Sequence, residues 1–240
     1  MLELTAEGNY LEALEVCDQL ILEYEMSELY FQRAYLFDAL TDYEKAIEDY
    51  TRAIQLAKDD PDYYVNRGNC YLKTEQYQAA LSDYNKAIEL SPDMLMAYNN
   101  RGWAYFKLER FKEAQIDLMY VIEVDDKYLS AYHNLGIVFC ELGRFQSGLT
   151  CLKKADRLRP NDLEILRSIG LAYEGLNDSK NAKKYLQRAI EIDPKNIKAY
   201  QSLAWLLSTN KNEDARDGET ALSYATWCCE QTCWRNTDSL

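Results

Sequence analysis

The chain has 240 residues, with 27 basic against 40 acidic side chains and a formal charge of -13. Nucleic-acid capture depends on Lys and Arg displacing counterions, so this balance excludes a DNA or RNA binder and disfavours an anionic membrane surface. With 48% hydrophobic residues but only 9 Gly and 4 Pro, the chain can bury a core yet lacks the turn formers of a sandwich or barrel. Long helices joined by short loops are the expectation.

In chain order, the opening MLELTAEGNY carries acids where a signal peptide needs bases, and no run approaches the roughly 18 apolar residues of a membrane span. Residues 9–24 (NYLEALEVCDQLILEY) read as the second helix of a partial unit, 1–26, with Ala13 as its small residue. A fixed period then takes over. Gly68, Gly102, Gly136 and Gly170 are each 34 residues apart, and Pro92, Pro160 and Pro194 each follow one of them by 24. Placing the glycine at position 8 gives full units 27–60, 61–94, 95–128, 129–162 and 163–196.

Other columns then align without adjustment. Position 4 holds Tyr30, Tyr64, Tyr98, Tyr132 and Leu166; position 11 holds Phe37, Tyr71, Tyr105, Phe139 and Tyr173; position 20 holds Ala46, Ala80, Ala114, Gly148 and Ala182. Apolar residues at three- and four-residue intervals predict two antiparallel helices per unit, near positions 1–14 and 17–30. Small residues let the helices approach, aromatic rings fill the surrounding space, and proline stops the second helix. Residues 197–240 start a sixth unit (IKAYQSLAWLLS), but its small residue, Ala221, arrives five positions late, after the loop TNKNEDARDGE. The closing NTDSL reads as the interrupted start of a further unit.

These columns closely resemble the tetratricopeptide repeat (TPR) family, of a bacterial type in the C-terminal segment. The resemblance implies an all-α, right-handed superhelical solenoid of antiparallel helix pairs forming a single domain. It also implies a concave groove lined by first-helix positions 2, 5, 6, 9, 12 and 13. Here those positions supply Phe31, Tyr35, Val65, Asn69, Asn99, Trp103, Phe106, Lys107, His133, Ile137 and Arg167.

Position 6 reads Gln32, Asn66, Asn100, Asn134 and Ser168. Three successive carboxamides one unit apart could serve an extended peptide backbone, or could bridge neighbouring helices; both readings stand at this stage. The carboxylate clamp known in this family requires cations where this chain has Val65, Ser130 and Asn134, so a clamp is rejected.

Arg33, Arg67 and Arg101 occupy position 7 in three units, and position 23 in the same units holds Asp49, Asp83 and Asp117. The other two units have Leu135 with Cys151 and Ile169 with Tyr185. This covariation predicts structural Arg–Asp pairs across each helix pair; an arginine stripe for acidic partners is the alternative.

Catalysis finds no support. His133 is the single histidine, Cys228, Cys229 and Cys233 lack a fourth ligand, and no Gly-rich phosphate loop exists. Seven irregularly spaced cysteines read as reduced thiols. The expectation is a cytoplasmic, non-catalytic scaffold without metal or cofactor, binding a peptide or protein segment. Asn66, Asn100 and Asn134 would meet the backbone, with Trp103, Phe106 and Ile137 as apolar contacts and Asn69, Asn99, Lys107, His133 and Arg167 for selectivity. The rival is self-association, such as a homodimer, through a C-terminal end carrying Tyr224, Trp227, Cys228 and Trp234.

Overall fold

The computed structural model describes residues 9–209 and 216–237, with side chains as far as Thr232. Among the described residues there are thirteen helices and no strand. They are α1 (Tyr10–Glu23), α2 (Ser27–Ala39), α3 (Tyr43–Leu56), α4 (Pro61–Lys73), α5 (Tyr77–Leu90), α6 (Leu95–Lys107), α7 (Phe111–Val124), α8 (Leu129–Glu141), α9 (Phe145–Leu158), α10 (Leu163–Gly175), α11 (Ser179–Ile192), α12 (Ile197–Thr209) and α13 (Gly218–Thr237). First helices begin at 27, 61, 95, 129, 163 and 197, so the 34-residue period of the sequence is a period of helix starts. The chain divides into two compact units, Met1–Val121 and Ile122–Leu240.

Four of the helix pairs close on a glycine-against-large contact. A Cβ on Gly68 would lie 2.8 Å from Tyr84, on Gly102 2.9 Å from Leu118, on Gly136 2.6 Å from Leu152 and on Gly170 2.8 Å from Leu186. Tyr84, Leu118, Leu152 and Leu186 are buried, so in these pairs the missing methyl leaves room for the side chain that the second helix inserts.

The turn inside each of the five full repeats is also a repeating device. Thr41, Glu75, Glu109, Gly143 and Asn177 all have φ between 58° and 70°. The next N–H reaches back to the first helix in every case: Asp42 to Phe37 O, Gln76 to Tyr71 O, Arg110 to Tyr105 O, Arg144 to Phe139 O and Asp178 to Tyr173 O, at 2.8–2.9 Å. This is a Schellman stop, which satisfies otherwise orphaned carbonyls and reverses the chain in two residues. The loop after α12 falls outside the described residues over 210–215, as does the end of NTDSL; Asn236 and Thr237 close α13.

Candidate functional site

Within Met1–Val121, the first helices α2, α4 and α6 carry the expected lining, and a polar network joins two of them. Tyr84 Oη on α5 donates to Asn69 Oδ1 at 2.8 Å, and Asn100 Nδ2 on α6 donates to the same oxygen at 2.8 Å. Asn99 Nδ2 then donates to Asn100 Oδ1 at 2.9 Å. The carboxamide of Asn100 therefore bridges neighbouring repeats, the second of the two sequence readings. Asn66 behaves differently, donating to its own helix at Asp62 O (2.8 Å) and remaining half-exposed.

Two expected lining residues are inaccessible. Val65 is fully buried and Asn99 is 6% exposed, because position 5 of these helices faces the adjoining repeat. Phe31, in the same column, packs on Tyr63 with centroids 4.9 Å apart. Column 9 is the accessible one: Tyr35 is 53% exposed and Trp103 half-exposed. Trp103 stacks on Phe106 at 4.6 Å with a 15° interplanar angle, and the exposed Lys107 places its Nζ 5.4 Å from the Trp103 ring centre. The result is a flat aromatic surface with a cation at its edge, suited to an apolar side chain beside an acidic or carbonyl group.

Within Ile122–Leu240, the first helices are α8, α10 and α12. His133 Nε2 lies 3.0 Å from Ser168 Oγ, whose hydroxyl donates to Glu164 O at 2.8 Å. With the serine proton engaged, His133 must donate through Nε2. Burial lowers its pKa below the ordinary 6.5, against the opposing pull of Asp162 and Glu164, so the imidazole is a neutral connector between α8 and α10. Arg167 donates to Glu164 Oε2 (3.2 and 3.0 Å), and Lys198 Nζ reaches Oε1 at 2.8 Å. Partial burial raises the Glu164 carboxyl, but these two cations outweigh it and hold it below the usual carboxylate range. Ile137 and Asn134 are half-buried.

Among the described side chains of this unit, the sequence reading missed the most accessible aromatic. Trp205 is 62% exposed and Leu171 38%; both fall in column 9, with Ile137 before them. Counting on from Ile197 would have reached Trp205 before the insertion breaks the period.

The arginine column is internal. Arg33 Nε and Nη2 meet Asp49 at 2.6 and 2.7 Å, Arg67 meets Asp83 at 2.8 and 2.7 Å, and Arg101 meets Asp117 at 2.7 Å twice. Each Nη1 also reaches the preceding second helix, at Asp18 (2.7 Å), Thr51 (3.0 Å) and Asn85 (2.7 Å). Hydrogen bonding to Asp49 raises the Arg33 pKa further, burial notwithstanding. These guanidinium groups are not a stripe offered to solvent.

At the C-terminal end, Cys228 is buried while Tyr224 and Trp227 are half-buried. Cys228 is 4% exposed, and Tyr200 packs on Tyr224 at 5.1 Å and Trp227 at 4.3 Å. The helix pair α12–α13 thus covers these three residues in part; Trp234 lies outside the described side chains. Among the described residues no cluster of metal-ligating side chains occurs, and no helix is long and apolar enough to cross a membrane.

The family model described as the cilia and flagella-associated protein 70 C-terminal domain matches residues 6–228. No curated protein matches the chain in sequence. Among solved structures, a tetratricopeptide repeat protein from Parabacteroides merdae aligns over 95% of this chain and 89% of its own, with a TM-score of 0.79 and 16% identity. YrrB, described as a TPR protein with an unusual peptide-binding site, aligns over 78% of this chain and 96% of its own, with a TM-score of 0.60 and 23% identity. The MamA protein aligns over 72% and 95%, with a TM-score of 0.61 and 25% identity. The fold is thus an all-α TPR repeat.

Proposed function

The chain belongs to the family of the cilia and flagella-associated protein 70 C-terminal domain, and from that premise we propose a non-catalytic scaffold that binds an extended segment of a ciliary or flagellar protein. The segment lies on the first helices of one unit or the other, with apolar side chains received by column 9 of that unit. The observation that carries this reading is the recurrence of accessible apolar side chains at that one column: Tyr35 and Trp103 in the first unit, Ile137, Leu171 and Trp205 in the second. Buried water-excluding aromatics flanked by polar groups are the usual anchors of such interfaces. The YrrB likeness, a TPR protein with a peptide-binding site, supports the same use of the fold.

The carboxamides take a narrower part than an uninterrupted ladder would. Asn66 retains a free oxygen and Asn100 one N–H, while Asn69, Asn99 and His133 act chiefly by fixing the first helices. Asn134 has a partner of its own; with Lys107 and Arg167 it supplies polar selectivity at the edge of the apolar column. The free thiols at Cys17, Cys70, Cys140, Cys151, Cys228 and Cys229 suit a reducing, cytoplasmic setting.

The test is capture from a ciliary or flagellar extract by immobilised wild type beside Trp103→Ala and Trp205→Ala. Trp205 is largely exposed, so its removal leaves the fold intact. Loss of a partner from either variant supports the reading; an identical set of captured proteins from all three baits contradicts it.

A further inference from the structure

Three columns of the second helices are polar in four repeats and apolar in one. Position 22 reads Glu48, Ser82, Thr150 and Lys184; position 25 reads Thr51, Asn85, Lys153 and Gln187; position 26 reads Arg52, Lys86, Lys154 and Arg188. On α7 the same three positions are Ile116, Met119 and Tyr120, exposed by 67%, 45% and 36%. Tyr120 also packs on Tyr98 of its own repeat, with ring centroids 4.6 Å apart, but the other four repeats fold with polar groups at all three positions, so the fold alone does not require an apolar face.

The surrounding sequence says what covers the face. Lys112, Ile116, Met119 and Glu123 follow one another at intervals of four, three and four, the spacing of a coiled-coil seam, and Tyr120 flanks it. Lys112 and Glu123 are exposed. The seam therefore has a cation at its N-terminal end, an apolar middle and an anion at its C-terminal end. A second α7 laid antiparallel puts Ile116 opposite Met119 of the other copy, and Lys112 opposite its Glu123, twice over by symmetry. A parallel arrangement would oppose Lys to Lys and Glu to Glu, so the charges select the antiparallel one.

We propose that α7 is a self-association surface at which two copies of this chain pair isologously, helix antiparallel to helix, through Ile116, Met119 and Tyr120 with Lys112–Glu123 pairs at both ends. Such an interface is self-complementary under a two-fold axis. It uses second-helix positions rather than the first-helix columns. One helix pair lies at the low end of interface sizes, so a weak, concentration-dependent dimer is expected.

Sedimentation equilibrium of the full chain over about 5 to 500 µM reads this directly, a range suited to a weak dimer. Wild type should pass from monomer to dimer. Ile116→Lys with Met119→Lys should stay monomeric. Lys112→Glu alone and Glu123→Lys alone should each weaken pairing about tenfold, since each opposes like charges twice. An equimolar mixture of those two variants, and the double swap K112E/E123K, should recover the wild-type affinity. All four positions are exposed, and unchanged far-UV circular dichroism melts verify that folding is unaffected. A chain monomeric throughout would overturn the proposal and leave the face to a different protein. A dimer indifferent to the α7 changes, or single reversals that the mixture fails to restore, would overturn it equally.

Discussion

The helix pairs of the first three full repeats are joined by Arg–Asp forks, whereas the next two carry Leu135 with Cys151 and Ile169 with Tyr185 at the same two columns. Arg33, Arg67 and Arg101 each hold a carboxylate by two short bonds. Leu135, 1% exposed, and Ile169, fully buried, take that column further on. With Leu135 comes Cys151, a thiol whose pKa burial raises to about 11 and which is therefore an inert apolar filler. Both solutions support the same backbone repeat, so the fork is not what makes the fold. Ion pairing at a partly buried seam gains little over apolar packing, but once present it cannot lose one partner cheaply.

Breaking one fork is the strongest way to test that difference. Arg67→Ala leaves Asp83 buried without its cation and should cost about 3–5 kcal/mol in chemical denaturation. Converting the whole column instead, Arg67→Leu with Asp83→Cys, should cost about 1 kcal/mol or less, because the pair is replaced by the solution that serves at Leu135 and Cys151. Equal losses in the two proteins would mean the forks are required by the repeats that carry them.

A second contrast lies inside the fork-bearing repeats. Tyr84 donates to Asn69, while the corresponding Tyr50, fully buried, has a hydroxyl with no partner, because Tyr35 stands where Asn69 would be. Tyr84→Phe should therefore destabilise by about 1 kcal/mol, and Tyr50→Phe should stabilise by about 1 kcal/mol. The sign reversal is readable from denaturation midpoints. The turns offer a third contrast: Gly143 and Thr41 share a left-handed conformation that only glycine adopts without strain. Thr41→Gly should raise stability by about 1 kcal/mol in the same measurement.

The smallest effect concerns pH. Burial lowers the His133 pKa below its ordinary 6.5, so the folded state binds fewer protons than the unfolded one. Its contribution is present above the unfolded value and lost as pH falls through it toward the folded value. Thermal melts at pH 7.5 and 5.5 should show wild type losing more than His133→Gln, which keeps a donor for Ser168 but does not titrate.

Periodicity made the fold legible. The spacing of Gly68, Gly102, Gly136 and Gly170 fixes the helix starts, and the joint change of positions 7 and 23 points to the forks, since covariation within one chain reports on packing. The third donor of each arginine was not legible, because Asp18, Thr51 and Asn85 share a position but no residue type. The left-handed turns were hidden for a similar reason: four of the five are not glycine. Column counting could not separate a carboxamide facing a groove from one bridging helices, as at Asn100, since both place Asn on the same helix face. Trp205 was passed over because the insertion after α12 obscures the last period.

The central claim, that partners lie on the first helices, is tested most directly by photo-crosslinking. Benzoylphenylalanine would be placed at Trp103 or Trp205 on first helices, and at Ser82 or Thr150, both exposed on second helices, with each protein irradiated in a ciliary or flagellar extract. Adducts to a shared partner from positions 103 or 205, and none from 82 or 150, are the predicted result. Adducts confined to 82 and 150 would contradict it.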